Sequence, residues 1–164
     1  MAMARQLWLL RHADAEPHGT RPDAERQLTD RGKGQCHCVG ASIAAMDVRF
    51  AAIYASPKAR ARETAELVLE LLPGVEPDLL KLHPPLAGGI KAREALELLK
   101  GTGPEESVLI VAHEPDLSGI VAELIGGRVD LKKAGLAVVR LAAGGAELVL
   151  LMRPAELSLI AESS

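Results

Sequence analysis

The sequence predicts an α/β fold with a mostly parallel sheet that ends in an antiparallel hairpin, on three observations. Short, almost wholly apolar runs recur at residues 7–10, 50–55 and 107–112, too unbroken for strands with one wet face. Segments with helical apolar spacing separate them, as crossovers between parallel strands require. Two further apolar runs, 136–141 and 146–152, flank Gly144-Gly145, a hairpin signal. At 164 residues the chain suits one domain, residues 1–164, long enough to bury about two thirds of its unfolded surface.

The first run, Leu7-Trp8-Leu9-Leu10, stops at Arg11-His12. In open α/β sheets ligands gather beyond the carboxyl ends of the strands, where these two residues stand. A polar loop continues to about residue 28, with Asp14, Glu16, Pro17, Gly19 and Pro22, long enough to border a site. Thr29 is the candidate N-cap of a helix over 30–46, whose apolar stripe is Cys36, Val39, Ile43 and Met46. Gly32, Gly34 and Gly40 each weaken that helix by about 1 kcal/mol, and close packing against the sheet would account for Gly40.

The second run ends at Ser56-Pro57, which reads as a helix start with Ser56 as N-cap and Pro57 in the first position. Arg60 is then the fourth helical residue. The helix runs to about residue 72, turns Ala61, Ala65, Val68 and Leu72 to the sheet, and stops at Pro73-Gly74. A less regular stretch with Pro77, Pro84, Pro85 and Gly88-Gly89 leads to a helix over 92–100, closed by Gly101. The third run ends at His113, and a helix starting near Pro115 carries Leu117, Ile120, Val121 and Leu124 inward as far as Gly126-Gly127.

Composition excludes some classes. The formal net charge is -3, no basic block occurs, and there is one each of Trp, Tyr and Phe, so the basic face or stacking rings of a nucleic-acid binder are absent. No run approaches the ~20 apolar residues of a membrane span, and the first apolar run is too short for a signal-peptide core, so the expectation is a cytoplasmic protein. Cys36-His37-Cys38 matches no zinc spacing and reads as small packed side chains. Neither a metal nor a cofactor is expected.

Parallel strands share a carboxyl edge, so Arg11, His12, Arg60 and His113 should surround one pocket beside two helix N-termini. That setting suits a phosphoryl group. Arginine forks match phosphoryl oxygens bidentately, and a neutral imidazole can attack phosphorus. Arg62, two residues after Arg60, points elsewhere and reads as a rim or surface residue. His18, His37 and His83 have no partner pattern.

Three blocks, Leu10-Arg11-His12-Ala13-Asp14, Ser56-Pro57-Lys58-Ala59-Arg60-Ala61-Arg62-Glu63-Thr64 and Val111-Ala112-His113-Glu114-Pro115, resemble the histidine phosphatase superfamily. Their order and spacing, with Leu28-Thr29 and Gly32, resemble most its small bacterial branch, the SixA-type phosphohistidine phosphatases. The resemblance implies a three-layer αβα sandwich and covalent catalysis, with His12 as nucleophile, His113 as second catalytic histidine, and Arg11 and Arg60 on the phosphate. It implies as partner a phosphorylated protein, such as a histidine phosphotransfer domain, or alternatively a small phosphoester. A catalytically silent phosphate-binding module is a further alternative.

Two positions depart from the family pattern. Ala13 and Ala112 stand where glycines are usual, and a methyl at each is expected to narrow the pocket. The superfamily's mutases and larger phosphatases carry an acidic residue between the second and third blocks. Here Glu94 and Glu97 lie on an ordinary amphipathic helix, leaving Asp14, Glu16, Glu63 and Glu114 as nearer candidates, the last two also suited to complementing helix N-termini. A missing acid favours phosphohistidine, because the departing imidazole, with a conjugate-acid pKa of ~6.5, takes a proton from solvent.

Overall fold

Each apolar run forms a strand of one six-stranded sheet in the computed structural model, which describes residues 4–163. The central strand β1 (Arg5–Arg11) lies parallel to β4 (Ser107–Ala112); β4 lies parallel to β2 (Phe50–Ala55), and β2 to the short β3 (Leu80–Leu82). On its other side β1 meets β5 (Leu136–Ala142), which runs antiparallel and continues through a hairpin into β6 (Gly145–Met152). The order across the sheet is β3-β2-β4-β1-β5-β6.

The unbroken runs reflect burial on both faces. Trp8, Leu10, Ile53, Leu109 and Val111 face a core closed by α1 (Asp30–Ala45), α2 (Ala59–Leu69) and α5 (Pro154–Glu162). Leu7, Leu9, Val108 and Ile110 face a second core closed by α3 (Ala92–Glu97) and α4 (Asp116–Ile125). The result is the expected three-layer αβα sandwich. Leu7, Leu9, Leu10, Leu109 and Ile110 are fully buried, each contributing about 2 kcal/mol of transfer free energy.

Some boundaries differ from expectation. α2 begins at Ala59, so Arg60 is its second residue rather than its fourth. Ser56 does not cap it, because its hydroxyl is taken up by His113 and the Lys58 N–H. α3 ends at Glu97 rather than near Lys100; the N–H groups of Leu98, Leu99 and Lys100 donate to carbonyls three residues back, tightening the chain toward Gly101. The prediction does not include β3 or α5. α5 opens at Pro154, its Glu156 carboxylate accepts the Arg153 N–H, and Ser42 Oγ of α1 donates to Leu157 O at 2.7 Å.

Gly40 faces a helix, not the sheet: a Cβ there would lie 2.8 Å from Leu71 Cδ1 and 3.2 Å from Val68 O. At Gly32 a Cβ would lie 2.0 Å from the carbonyl oxygen of Asp14. The bare backbone of α1 is what lets the loop after His12 lie against it, while Thr29 Oγ1 caps the helix by accepting the Gly32 N–H at 3.0 Å.

Candidate active site

β1, β2 and β4 all finish at one edge, and hydrogen bonds beyond their ends hold the emerging segments side by side. His12 N–H donates to Ala112 O at 3.0 Å, and Ser56 N–H to Val111 O at 3.0 Å. The segment before β5 closes the third side, with Ala134 N–H donating to the carbonyls of Arg11 and His12. Arg11, His12, Arg60 and His113 thereby line one cleft of about 260 Å³, far apart in sequence but together in space.

The two imidazoles lie with centroids 5.2 Å apart, each 7% exposed. His12 Nδ1 is 2.8 Å from Ala13 O. A carbonyl only accepts, so Nδ1 carries the proton and Nε2 presents its lone pair to the cleft. Arg60 Nε donates to that Nε2 at 3.4 Å. Burial pulls the pKa of His12 down to about 4, with the Ala13 carbonyl opposing and the Arg60, Arg11 and Lys133 charges assisting. His113 is pulled down to about 3, again chiefly by burial, then by His12 and Arg60. Both rings are neutral at pH 7.

The arginines are positioned through backbone carbonyls. Arg11 Nη1 donates to Leu131 O at 2.9 Å, and Arg60 Nη1 to Asp23 O at 2.7 Å. Thr64 Oγ1 accepts the Ala13 N–H and donates to Arg60 O, tying α2 to the backbone beside His12. Among the described residues, two buried side-chain polar atoms have no hydrogen-bond partner: Arg11 Nε and His113 Nδ1. Buried polar atoms are rarely left unmatched, and both belong to residues that line this cleft.

Ala13 and Ala112 are fully buried, one in each core, and their methyls do not line the cleft. The expected narrowing does not occur.

Comparisons with known proteins bear on the family and the fold. The family model described as histidine phosphatase superfamily (branch 1) matches residues 7–81. An uncharacterized protein of Picosynechococcus sp. is 30% identical over 141 residues, covering 82% of this chain and 84% of the relative. The structure of the protein histidine phosphatase SixA complexed with tungstate superposes with a TM-score of 0.81 at 26% identity, covering 93% of this chain and 99% of that one. The chain belongs to the histidine phosphatase superfamily, in its SixA-type branch. It is a histidine-nucleophile phosphatase. The fold is shared more widely: a phosphoserine phosphatase from Entamoeba histolytica, bound to phosphoserine, has a TM-score of 0.70 at 17% identity, covering 90% and 96% of the two chains.

This SixA-type cleft includes residues that the sequence alone does not mark. His18, Arg26 and Lys133 also line it. Asp23, on the 3₁₀ turn Asp23–Glu25, gathers cations behind the cleft: its carboxylate lies 2.8 Å from Arg26, 3.0 Å from Lys58 and 3.4 Å from Arg60. The Lys58 bond foremost, with Arg26 and Arg60, holds the Asp23 carboxyl well below the usual carboxylate range. A Pro-flanked Asp in a long loop is the available signal, but nothing local ties it to Arg60. Arg62 is half-exposed beside Glu66, in a groove with Leu69, Pro77 and Leu80 outside the cleft.

The acid candidates divide. Asp14 bonds Lys133 and Thr29, and Glu63 accepts the Leu28 N–H, tying the loop down rather than complementing α2. Glu16 and Glu114 line the cleft, but Glu16 is held by Arg21 and the Gln27 N–H, and Glu114 accepts the Ser118 N–H of α4. Among the described residues no group of three or more His, Cys, Asp or Glu is arranged to hold a metal, and no helix is long and apolar enough to cross a membrane.

Proposed function

We propose that this protein removes the phosphoryl group from phosphohistidine on a partner protein, acting as a single cytoplasmic domain. The observation that carries the proposal is the pairing of a neutral, oriented His12 with cationic and N–H donors, in a cleft whose carboxylates are already engaged. His12 Nε2 attacks phosphorus in line with the departing imidazole, forming the N–P bond of a phosphoenzyme as the substrate's N–P bond breaks. Arg60 Nε, at 3.4 Å from that nitrogen, is a donor a phosphoryl oxygen can take over, and Arg11 Nε and His113 Nδ1 have no protein acceptor to give up. The leaving imidazole takes its proton from solvent, and water then hydrolyses phospho-His12 to inorganic phosphate. No carboxylic acid is needed for this leaving group, unlike an alkoxide.

The likeness at 26% identity to a protein histidine phosphatase supports the substrate class. A release assay comparing a phosphohistidine-bearing histidine phosphotransfer domain with a panel of small phosphoesters tests it. The protein substrate should be preferred by kcat/KM; preference for an ester would move the assignment to a small-molecule phosphomonoesterase using the same nucleophile. With a labile phosphodonor, an acid-labile, alkali-stable phosphoenzyme should form and be absent in His12→Ala.

A further inference from the structure

Ser56 is fully buried, yet its hydroxyl is not a helix cap. Its oxygen accepts the Lys58 N–H at 3.2 Å and lies 2.7 Å from Nε2 of His113. A hydroxyl has one proton to give, and among the described residues Nε2 of His113 is the acceptor paired with it. The opposite ring nitrogen, Nδ1, is buried without a partner. Two tautomers are conceivable. With the proton on Nε2, that N–H joins the Lys58 N–H in donating to the Ser56 oxygen, the hydroxyl proton has no acceptor among the described residues, and Nδ1 offers an anion a repelling lone pair. With the proton on Nδ1, the hydroxyl donates to Nε2 and Nδ1–H remains to donate to a phosphoryl oxygen. The second leaves no buried proton unmatched once an anion is present.

We infer that Ser56 is a positioning residue: by donating to Nε2 it fixes His113 as the Nδ1–H tautomer, making the second histidine a neutral hydrogen-bond donor to the transferring phosphoryl group. The inference rests on the phosphatase reading for its consequence, though the tautomer itself does not depend on it. It also explains why the Ser-Pro pair before α2 is not spent on the helix terminus. β2 delivers the hydroxyl to the end of β4, where His113 begins the next turn.

The test is the ring ¹⁵N pattern of His113 at pH 7, read from long-range ¹H–¹⁵N correlations and assigned by its loss in His113→Gln. The wild type should show a protonated Nδ1 and an unprotonated Nε2. Ser56→Ala should shift population to Nε2–H, while Ser56→Thr, which keeps the hydroxyl, should retain the wild-type pattern. In the phosphohistidine release assay Ser56→Ala should lower kcat on the order of tenfold, with KM little changed. A wild-type ring protonated at Nε2, or a ring pattern unmoved by Ser56→Ala, would overturn the inference. Because the spectrum needs no substrate, a wild type with the expected tautomer but no phosphatase activity would refute the function and leave this assignment standing.

Discussion

Arg60 points its Nε–H at Nε2 of His12 across 3.4 Å, while the carbonyl of Ala13 holds the opposite ring nitrogen at 2.8 Å. The imidazole is thus gripped from behind, and its reactive nitrogen meets a cation that disfavours protonation. An imidazole held this way needs no base to deprotonate it at neutral pH, which is what the proposed attack requires.

The same burial makes stability pH-dependent. His12 titrates near 4 folded and near 6.5 unfolded, so between these values the unfolded chain binds more protons and stability falls as pH drops. His12 alone should cost about 3 kcal/mol by pH 4, with all of its stabilisation present above pH 6.5. Denaturant midpoints from pH 7 to pH 4.5 should show the decline, and His12→Asn should make it shallower, leaving the part that His113 contributes; a flat wild-type profile would contradict the buried neutral rings.

Asp23→Asn keeps the carbonyl that receives Arg60 Nη1 but removes the charge that gathers Arg26, Lys58 and Arg60. The carboxylate is half-exposed, so the stability change should stay below about 1 kcal/mol. Turnover should fall on the order of tenfold as the guanidinium loses its alignment. Steady-state kinetics beside a thermal melt separates the two effects, and unchanged kcat would show that the carbonyl alone positions Arg60.

Gly32→Ala should couple fold to site. The added methyl meets backbone at Asp14 O, which cannot swing aside as a side chain would. Overpacking of this kind costs about 1–3 kcal/mol, and here the loop displaced adjoins His12. Both melting temperature and phosphoenzyme formation should drop, whereas Gly34→Ala, with open space around its Cβ, should preserve both.

Ala13→Gly and Ala112→Gly should leave turnover unchanged, because the methyls they delete lie in the two cores. Each should destabilise by about 1 kcal/mol through lost packing and added chain freedom. Faster turnover in either variant would mean that the methyl obstructs the phosphoryl group.

The runs at 7–10, 50–55 and 108–112 are legible because burial on both sides of the sheet keeps charged residues out of them, whereas β5 and β6, which carry Arg140 and Glu147, are marked by the Gly144-Gly145 turn between them. The edge strand β3, three residues long and half wet, carries no such signal. In α5 only Leu157 is buried, so no stripe marks it, although Pro154 and Glu156 offer a helix start. Arg11, His12, Arg60 and His113 can be brought to one edge from topology. Lys133 and Arg26 cannot, because their presence depends on how two irregular segments fold back. Ser56 misleads for a related reason: a local rule for caps cannot foresee a partner 57 residues away.

The reversal of β5 has an architectural consequence. In a sheet running one way throughout, the connection entering a strand arrives at the edge remote from its ligands. Because β5 runs against β1, its incoming connection lands beside Arg11, bringing the Leu131 carbonyl and the Lys133 ammonium to the cleft. That connection is therefore a tunable gatepost: rewriting residues 127–133 offers a way to change which phosphorylated molecules are admitted without disturbing the seat of the nucleophile.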